Sequence, residues 1–326
     1  MRHSRITRTR LFAMIVATLF VASACGDDGG GGGSAGGGSL GEIDLSGASF
    51  KVGSKEFTEQ LILGHIAIRA LEATGATVED KTGIQGTANV RTAMTSNEID
   101  LYWEYTGTGW TVHLGHTTAD AAKGSEPLYE AVKAEDLQQN KIAWLEPAPM
   151  NNTYAIATAK GRGEELGVSN LSEYAELAGS KPDDATFCGA AEFLTRDDGF
   201  PGVEKAYGFE LPQDKIAEVD LGVIYTRVPD GDPCNFGEVF ATDGRISAND
   251  LEIVEDDKGF FANYNVAMTT RQDVLDQNPK LAEVFNPIAA KLTTDLVRQL
   301  NERVDVNGEL PDEVAEDFLK TNGFIG

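Results

Sequence analysis

Few residues in this chain have the types and spacing that catalysis needs. The 326 residues contain no nucleophile elbow of the Gly-x-Ser-x-Gly type between a strand and a helix, and no Gly-Lys-Thr phosphate loop. Three histidines remain outside the N-terminal segment: His65, His113 and His116. The spacing of the last two would suit a metal on one helix face, but no close carboxylate or Cys pair completes a ligand set. These patterns favour a binding protein without metal or cofactor over an enzyme.

Four aromatic residues form a more informative set. Each lies where the sequence predicts the end of a strand or a crossover, and none belongs to a helical apolar stripe: Tyr105, Tyr154, Phe240 and Tyr264. Core packing explains each one taken alone. If the fold brings them to one rim, their ring faces and hydroxyls can hold a small ligand.

The elements that must position the first of these residues alternate between strand and helix. Residues 49–54, 76–81 and 99–102 are typical of strands, and residues 57–74 and 88–96 are typical of helices. This alternation predicts a parallel sheet covered by helices, an α/β fold. Ligands of such sheets bind beyond the carboxyl ends of the strands.

Polar residues follow each of the three strands at that edge. Lys55 follows the first strand, Thr87 the second, and residues 105–108, with Tyr105 and Thr108, the third. Because parallel strands end at the same edge of a sheet, we expect all of them on one rim.

A second α/β unit follows the extended, Pro-containing residues 143–149. The predicted division is lobe I from residues 49–150 plus 263–326 and lobe II from residues 151–262, with two crossovers that act as a hinge. Residues 225–235 are rich in Pro, Gly and Asp and favour a loop, and residues 278–304 favour one closing helix.

The formal charge of −25 makes nucleic acid an unsuitable partner. Four arginines, an apolar stretch at residues 11–21 and Ala22-Ser23-Ala24-Cys25 are typical of a lipoprotein signal at residues 1–25, with Cys25 as the lipidated residue. An ordinary secretory signal with an incidental Cys is the alternative. The Gly-rich residues 26–48 predict a flexible tether, so we expect a protein anchored by Cys25 to the outer face of the cell membrane.

Two cysteines remain, Cys188 and Cys234. In an oxidising compartment an even pair favours a disulfide, and two separate buried thiols are the alternative.

Several segments carry a family resemblance. They include residues 52–60 (VGSKEFTEQ), 98–108 (EIDLYWEYTGT), 150–154 (MNNTY), 193–202 (FLTRDDGFPG) and 242–246 (TDGRI). The chain resembles, over about residues 49–325, the substrate-binding proteins of ABC importers for osmoprotectants, the glycine betaine, choline and carnitine group. The resemblance implies a two-lobed periplasmic-binding-protein fold, type II-like, whose cleft holds a quaternary ammonium in a cage of aromatic rings.

Residue by residue, the resemblance implies that the cage consists of Tyr105, Tyr154 and Tyr264, with Phe240 where the family usually has Tyr. It implies a clamp for the ligand's carboxylate, made of Lys55, Thr108 and Arg196. Asp197 and Asp198 flank the arginine and offer competing partners.

Two cations at the site would fit a zwitterion such as glycine betaine better than choline. The sequence therefore predicts a monomeric, non-enzymatic binding protein that delivers its ligand to an ABC permease. Three alternatives remain: the same fold with another compatible solute such as ectoine, which Phe240 keeps open; a metal-binding lipoprotein that uses the three histidines; and a lipid-anchored hydrolase, for which no nucleophile–base pair is evident.

Overall fold

The computed structural model describes residues 38–326, so the predicted signal, Cys25 and the tether as far as residue 37 lie outside the described residues. The end of the predicted tether packs onto the domain. Ser39–Glu42 forms a 3-10 turn in which Leu40 is 2% exposed and its N–H donates to the carbonyl of Phe324 at 3.0 Å. Leu45 is also buried. The prediction of a tether is therefore wrong for residues 39–48, because two leucines fix this stretch to the domain.

Residues 38–326 form ten strands. They are β1 (Ser49–Lys55), β2 (Thr77–Ile84), β3 (Leu101–Tyr105), β4 (Ile142–Pro147), β5 (Tyr154–Ala159), β6 (Phe187–Gly189), β7 (Ile216–Glu218), β8 (Phe236–Phe240), β9 (Leu251–Val254) and β10 (Val266–Arg271).

The same residues form thirteen α-helices, some of a single turn. They are α1 (Thr58–Ala73), α2 (Thr87–Thr95), α3 (Thr106–Thr108), α4 (Ser125–Asn140), α5 (Arg162–Leu166), α6 (Leu171–Ser180), α7 (Phe200–Tyr207), α8 (Leu221–Asp230), α9 (Arg245–Ala248), α10 (Gln272–Gln277), α11 (Leu281–Ala289), α12 (Thr294–Asp305) and α13 (Pro311–Thr321).

The strands form two mixed sheets of the same topology. The first has the order β2-β1-β3-β10-β4 and the second the order β7-β6-β8-β5-β9. In each, three neighbouring strands run parallel, and the fourth strand pairs antiparallel with both of its neighbours. The α/β class predicted from the sequence is thereby confirmed.

The chain passes from the first sheet to the second after β4 and returns before β10, so two connections join the sheets. Helix α1 is buried over most of its girth, since it packs against β1 and β2 on one side and α13 on the other. Its length and burial agree with the apolar helix that the sequence predicts directly after the first strand.

Two local predictions are wrong. Residues 225–230, expected in a loop, belong to α8, because Ile224, Tyr225 and Val228 recur at helical spacing and are all buried. Pro229 is accommodated within the last turn of that helix. The expected single closing helix is divided into α11 and α12.

Cys188 in β6 and Cys234, just before β8, form a disulfide bond with an S–S distance of 2.05 Å. Both residues are buried within the second sheet's core. No helix within residues 38–326 is both long enough and apolar enough to cross a membrane.

Candidate ligand-binding site

A cavity of about 870 Å³ lies where the parallel strands of the two sheets have their carboxyl ends. Its lining combines residues that follow β1, β2 and β3 with residues that follow β6, β7 and β8. All seven residues predicted from the sequence as ligand contacts lie in this lining: Lys55, Tyr105, Thr108, Tyr154, Arg196, Phe240 and Tyr264. The structure thus brings the predicted set together, while their binding roles stay a prediction.

The aromatic rings of the lining lie next to one another. The Tyr154 ring centroid is 5.1 Å from that of Phe240 and 5.6 Å from that of Tyr264, whose ring is nearly perpendicular to it. Phe57 extends the row, with its centroid 5.4 Å from Phe240 and 6.4 Å from Tyr105. Five adjacent rings therefore form an apolar wall with several faces.

Strand register accounts for the central pair of rings. Tyr154 opens β5 and Phe240 closes β8, and the two residues are direct partners in this antiparallel pair. Side chains of paired residues project on the same side of a sheet, so both rings meet the cavity. Phe193, fully buried, packs 4.9 Å behind Tyr154 and supports it.

Glycine permits the approach of Tyr264 to the first sheet. A Cβ atom on Gly107 would lie 2.6 Å from the ring of Tyr264, closer than real contacts allow. The Thr-Gly-Thr sequence after β3 thus leaves the space that this ring fills, and Tyr105, Thr108 and Tyr264 line the same cavity.

Sequence reasoning missed Phe57 as a cavity residue. It precedes α1 and lies in the same VGSKEFTEQ segment that identifies Lys55, so its position was available from the motif. The sequence pattern predicts it only as the first residue of the helix at residues 57–74.

Lys55 meets the cavity already paired with a carboxylate. Its Nζ lies 2.7 Å from Oε1 of Glu104, and both side chains are buried. Glu104 also accepts hydrogen bonds from the Tyr105 N–H and the Tyr102 hydroxyl, and Nε2 of His113 lies 2.9 Å from it. Burial acts to raise the pKa of Glu104, but Lys55 and His113 outweigh it, so this pKa lies below its ordinary value.

Arg196 is paired as well. Its Nε and Nη2 both donate to Asp198, with the Nε bond 2.6 Å long, and its Nη1 donates to Glu192 at 3.0 Å. Asp198 also accepts the hydroxyls of Tyr264 at 2.6 Å and Thr111 at 2.8 Å. The competing partner expected from the sequence is therefore present, and the cavity has no excess of positive charge from its two predicted cations.

The hydroxyls of the predicted cage and clamp divide into two groups. Tyr105 donates to Glu59 at 2.7 Å and Tyr264 donates to Asp198. The hydroxyls of Tyr154 and Thr108 have no hydrogen-bond partner within residues 38–326, and both residues line the cavity. These two hydroxyls are available to a ligand.

Glu59, in the first turn of α1, joins several elements beneath the cavity. Its Oε1 accepts from Tyr105 and from the amide of Asn152, and its Oε2 accepts from Thr242 and from the amide of Asn301. Burial raises its pKa, and the four hydrogen bonds oppose that shift. Tyr105 is the last residue of β3, and Asn301 lies in α12. Asn152 precedes β5, and Thr242 follows β8.

Glu238, in the middle of β8, is a second buried carboxyl that sequence reasoning missed. It is 2% exposed and lines the cavity, and its hydrogen bond is with the N–H of Ala190 at 2.8 Å. Burial, with the nearby Glu192 adding to it, raises the pKa of Glu238 to about 8. In a chain this acidic, no sequence signal marks one glutamate among so many.

The three histidines lie apart, each beside its own carboxylate. His113 contacts Glu104, His116 contacts Glu135 at 2.9 Å, and Nδ1 of His65 lies 3.8 Å from Asp312. Within the described residues no group of three potential ligands is placed to hold a metal ion. The metal-binding alternative therefore finds no support from these side chains.

The fold and the cavity define a class of protein: two α/β lobes joined by two connections, with a cavity at the strand ends. The chain belongs to the family described as the substrate binding domain of ABC-type glycine betaine transport systems, whose model matches residues 48–321. The predicted family is thereby confirmed. Members are substrate-binding components of importers that work with a permease, outside the cytoplasm, and are not enzymes.

Two relatives and one solved structure show the extent of the similarity. The glycine betaine-binding protein YehZ of Escherichia coli is 36% identical over 280 residues, 84% of this chain and 90% of the relative. A glycine-betaine-binding protein of Pseudomonas aeruginosa is 33% identical over 282 residues, 85% of this chain and 89% of the relative. The structure of apo YehZ from E. coli, 34% identical, matches with a TM-score of 0.62 over 85% of this chain and 99% of that chain. The two-lobed binding-protein fold predicted from the sequence is therefore confirmed.

Proposed function

We propose that this protein is an extracytoplasmic lipoprotein that captures glycine betaine, or a similar quaternary-ammonium osmoprotectant, in an aromatic cage and delivers it to an ABC permease. The observation that carries the proposal is the convergence of ring faces from both sheets on one cavity. The printed functions of the two relatives, both glycine betaine-binding proteins, support the choice of ligand.

Ring faces suit this ligand for a physical reason. A trimethylammonium group has no N–H to donate, so hydrogen bonds cannot select it, whereas the negative face of an aromatic ring attracts any cation. Each such contact contributes about 0.5–2 kcal/mol, most where water is excluded. Micromolar affinity requires about 8 kcal/mol, so the rings need help from polar contacts to the rest of the ligand.

Hydrogen-bond donors at the cavity supply those contacts. An ammonium has three donors and a guanidinium has five, so Lys55 and Arg196 retain N–H groups beyond those that their carboxylate partners take. The hydroxyl of Thr108 adds a further donor. A ligand carboxylate is thus recognised through directed N–H and O–H bonds rather than through the net charge of the two cations.

The two lobes, residues 49–150 with 263–326 and residues 151–262, close on the ligand as rigid bodies in this proposal. The crossovers after β4 and before β10 are the two connections that must bend. The protein acts as a monomer, since one chain contributes every residue of the proposed cage.

Anchoring through Cys25 holds the domain near its permease. The support is the basic, apolar and small-residue order that precedes Cys25 in the sequence. Expression with a radiolabelled fatty acid should label the wild-type protein and leave Cys25→Ala unlabelled; equal labelling of both would refute this part of the proposal.

A thermal-shift screen tests the ligand class. The panel contains glycine betaine, proline betaine, carnitine, choline, ectoine and several amino acids, with sodium chloride at matched ionic strength as the control. We expect the betaines to raise the unfolding temperature most. A clear preference for ectoine or an amino acid, with no response to any quaternary amine, would replace the proposed ligand.

A further inference from the structure

One buried ionisable group of the cavity stands outside the ion pairs described above. Lys55 is matched by Glu104 and Arg196 by Asp198, while Arg245 in the same lining is matched by Asp243. The carboxyl of Glu238 has no ion-pair partner within residues 38–326. The other acidic residues of the lining, apart from Glu192 beside Arg196, are exposed at its mouth, where water screens them.

Strand register places this carboxyl beside the cage. Glu238 and Phe240 are two residues apart on β8, so their side chains project to the same side of the sheet. Their partners on β5 are Ile156 and Tyr154, respectively. Glu238 is therefore next to Phe240 and diagonal to Tyr154, the two rings that the second sheet contributes.

The charged and titratable groups around Glu238 influence the balance between its neutral acid and its carboxylate. Glu192 and Arg196, from the segment after β6, act on it with opposite signs, and burial favours its neutral form. Across the sheet Tyr154 is held neutral, because burial raises its pKa well above the ordinary value, and the nearby Asp198 is bound to Arg196. With the pKa of Glu238 at about 8, its charge changes close to physiological pH.

We propose that Glu238 sets the net charge of the ligand that the cleft accepts. As the neutral acid it adds no charge beside the cage, which suits a betaine with no net charge. As the carboxylate it adds one negative charge beside the cage, which favours a quaternary amine that lacks a carboxylate, such as choline. This inference rests on the proposed function, since it assumes that the cage holds the ammonium group.

Calorimetric titration of the full protein with glycine betaine and with choline, at several values between pH 6.5 and 9, tests the inference. We expect the ratio of choline affinity to glycine betaine affinity to rise with pH by about tenfold, the change that accompanies a difference of one unit in the pKa of Glu238 between the two complexes. Glu238→Gln, which keeps the neutral shape, should hold the ratio constant at its low-pH value. Glu218→Gln removes an exposed carboxyl from the same lining and should keep the wild-type pH dependence.

The possible results separate the two proposals. Binding of both ligands with a ratio that does not change with pH in the wild type would overturn the role of Glu238 and leave the proposed function intact. A pH-dependent ratio that persists in Glu238→Gln would also overturn it. If neither ligand bound at any pH, the proposed function would fail and the inference with it. If Glu238→Gln does not fold, a wild-type ratio that stays constant between pH 6.5 and 9 still overturns the inference.

Discussion

At the scale of single residues, the cavity combines aromatic rings with cationic side chains that are already paired with carboxylates. Lys55 illustrates the arrangement, because its ammonium lies 5.2 Å from the centroid of Tyr105 and 2.7 Å from Glu104. The carboxylate offsets part of the cost of burying the ammonium and fixes its position. The remaining N–H groups of Lys55 then point from a fixed site at the edge of the cage.

Glu104→Gln should show how strongly this pair matters. The change leaves Lys55 buried and unpaired, so we expect a loss of about 3–5 kcal/mol in the free energy of unfolding at neutral pH, measured by urea denaturation. Because the pKa of Glu104 is lowered in the folded state, its contribution is present above the ordinary carboxyl pKa and is lost as pH falls. The difference between variant and wild type should therefore shrink under acid conditions.

Glu79→Gln provides the matched control, since it breaks an exposed pair with Lys81 whose atoms are 2.6 Å apart. Its unfolding transition should coincide with that of the wild type, because exposed pairs contribute little. Equal effects of the two substitutions would contradict the role given to the buried pair.

Several features of the site followed from the sequence, and others did not. The strand-end position of Tyr105 and the family motifs placed seven residues in what proved to be one cavity. The partner of Lys55 did not follow, because Glu104 is 49 positions away and lies outside both the predicted strand at residues 99–102 and the predicted ligand contacts. Pairing across a sheet depends on the order of strands, which neither residue type nor local periodicity specifies.

At the scale of elements, the first turn of α1 holds the lobes together beneath the cavity. Glu59 lies at a helix N-terminus, where the helix dipole favours a negative charge, and it accepts bonds from four donors. Thr242 belongs to the segment after β8, whereas Asn301 belongs to α12, so the carboxylate joins elements that are distant along the chain.

Glu59→Gln should weaken this junction. Each carboxylate oxygen accepts from one asparagine amide, so the NH₂ group of a glutamine must face one of them, donor against donor. We expect a loss of about 1–3 kcal/mol in the free energy of unfolding, the usual cost of leaving buried polar groups unsatisfied. Glu72→Gln, exposed near the other end of the same helix, is the control for the loss of a charge from α1. A variant as stable as wild type would show that Glu59 does not join these elements.

The bounds of an element were predicted most reliably where apolar periodicity and a helix-ending glycine indicated the same segment. Helix α1 differs from its predicted bounds by one residue at each end. Helix α8 was missed because Pro229 and Gly231 are typical of a loop. The burial of Ile224 and Val228 nevertheless follows helical spacing. Local composition and periodicity conflicted there, and packing against the sheet decided the outcome.

At the scale of the whole molecule, two sheets of identical topology border one cavity, and within residues 38–326 two connections join them. No internal repeat is evident in the sequence, so the shared strand order of the two sheets became apparent only from the structure. A cavity of about 870 Å³ exceeds what a ligand as small as glycine betaine fills, so closure of the lobes around the ligand would exclude the remaining water.

Small-angle X-ray scattering should detect that closure. Saturating glycine betaine should reduce the radius of gyration of the wild-type protein, because the lobes approach each other about the two crossovers. Sodium glutamate at the same concentration, which carries no quaternary ammonium, should leave the radius of gyration unchanged. A radius that is the same with and without bound betaine would show that the lobes are fixed.

The central claim is that ring faces in this cavity hold a quaternary ammonium, and calorimetric titration with glycine betaine tests it most directly. The wild type should bind one ligand per chain. Tyr154→Phe keeps the ring and removes only a hydroxyl, so it should bind within about fivefold of wild type, a difference of about 1 kcal/mol. Tyr154→Leu, which is apolar but has no ring face, should lose at least about tenfold in affinity, as expected for removal of one desolvated cation–π contact. Unchanged affinity in Tyr154→Leu, with the protein folded, would contradict the cage.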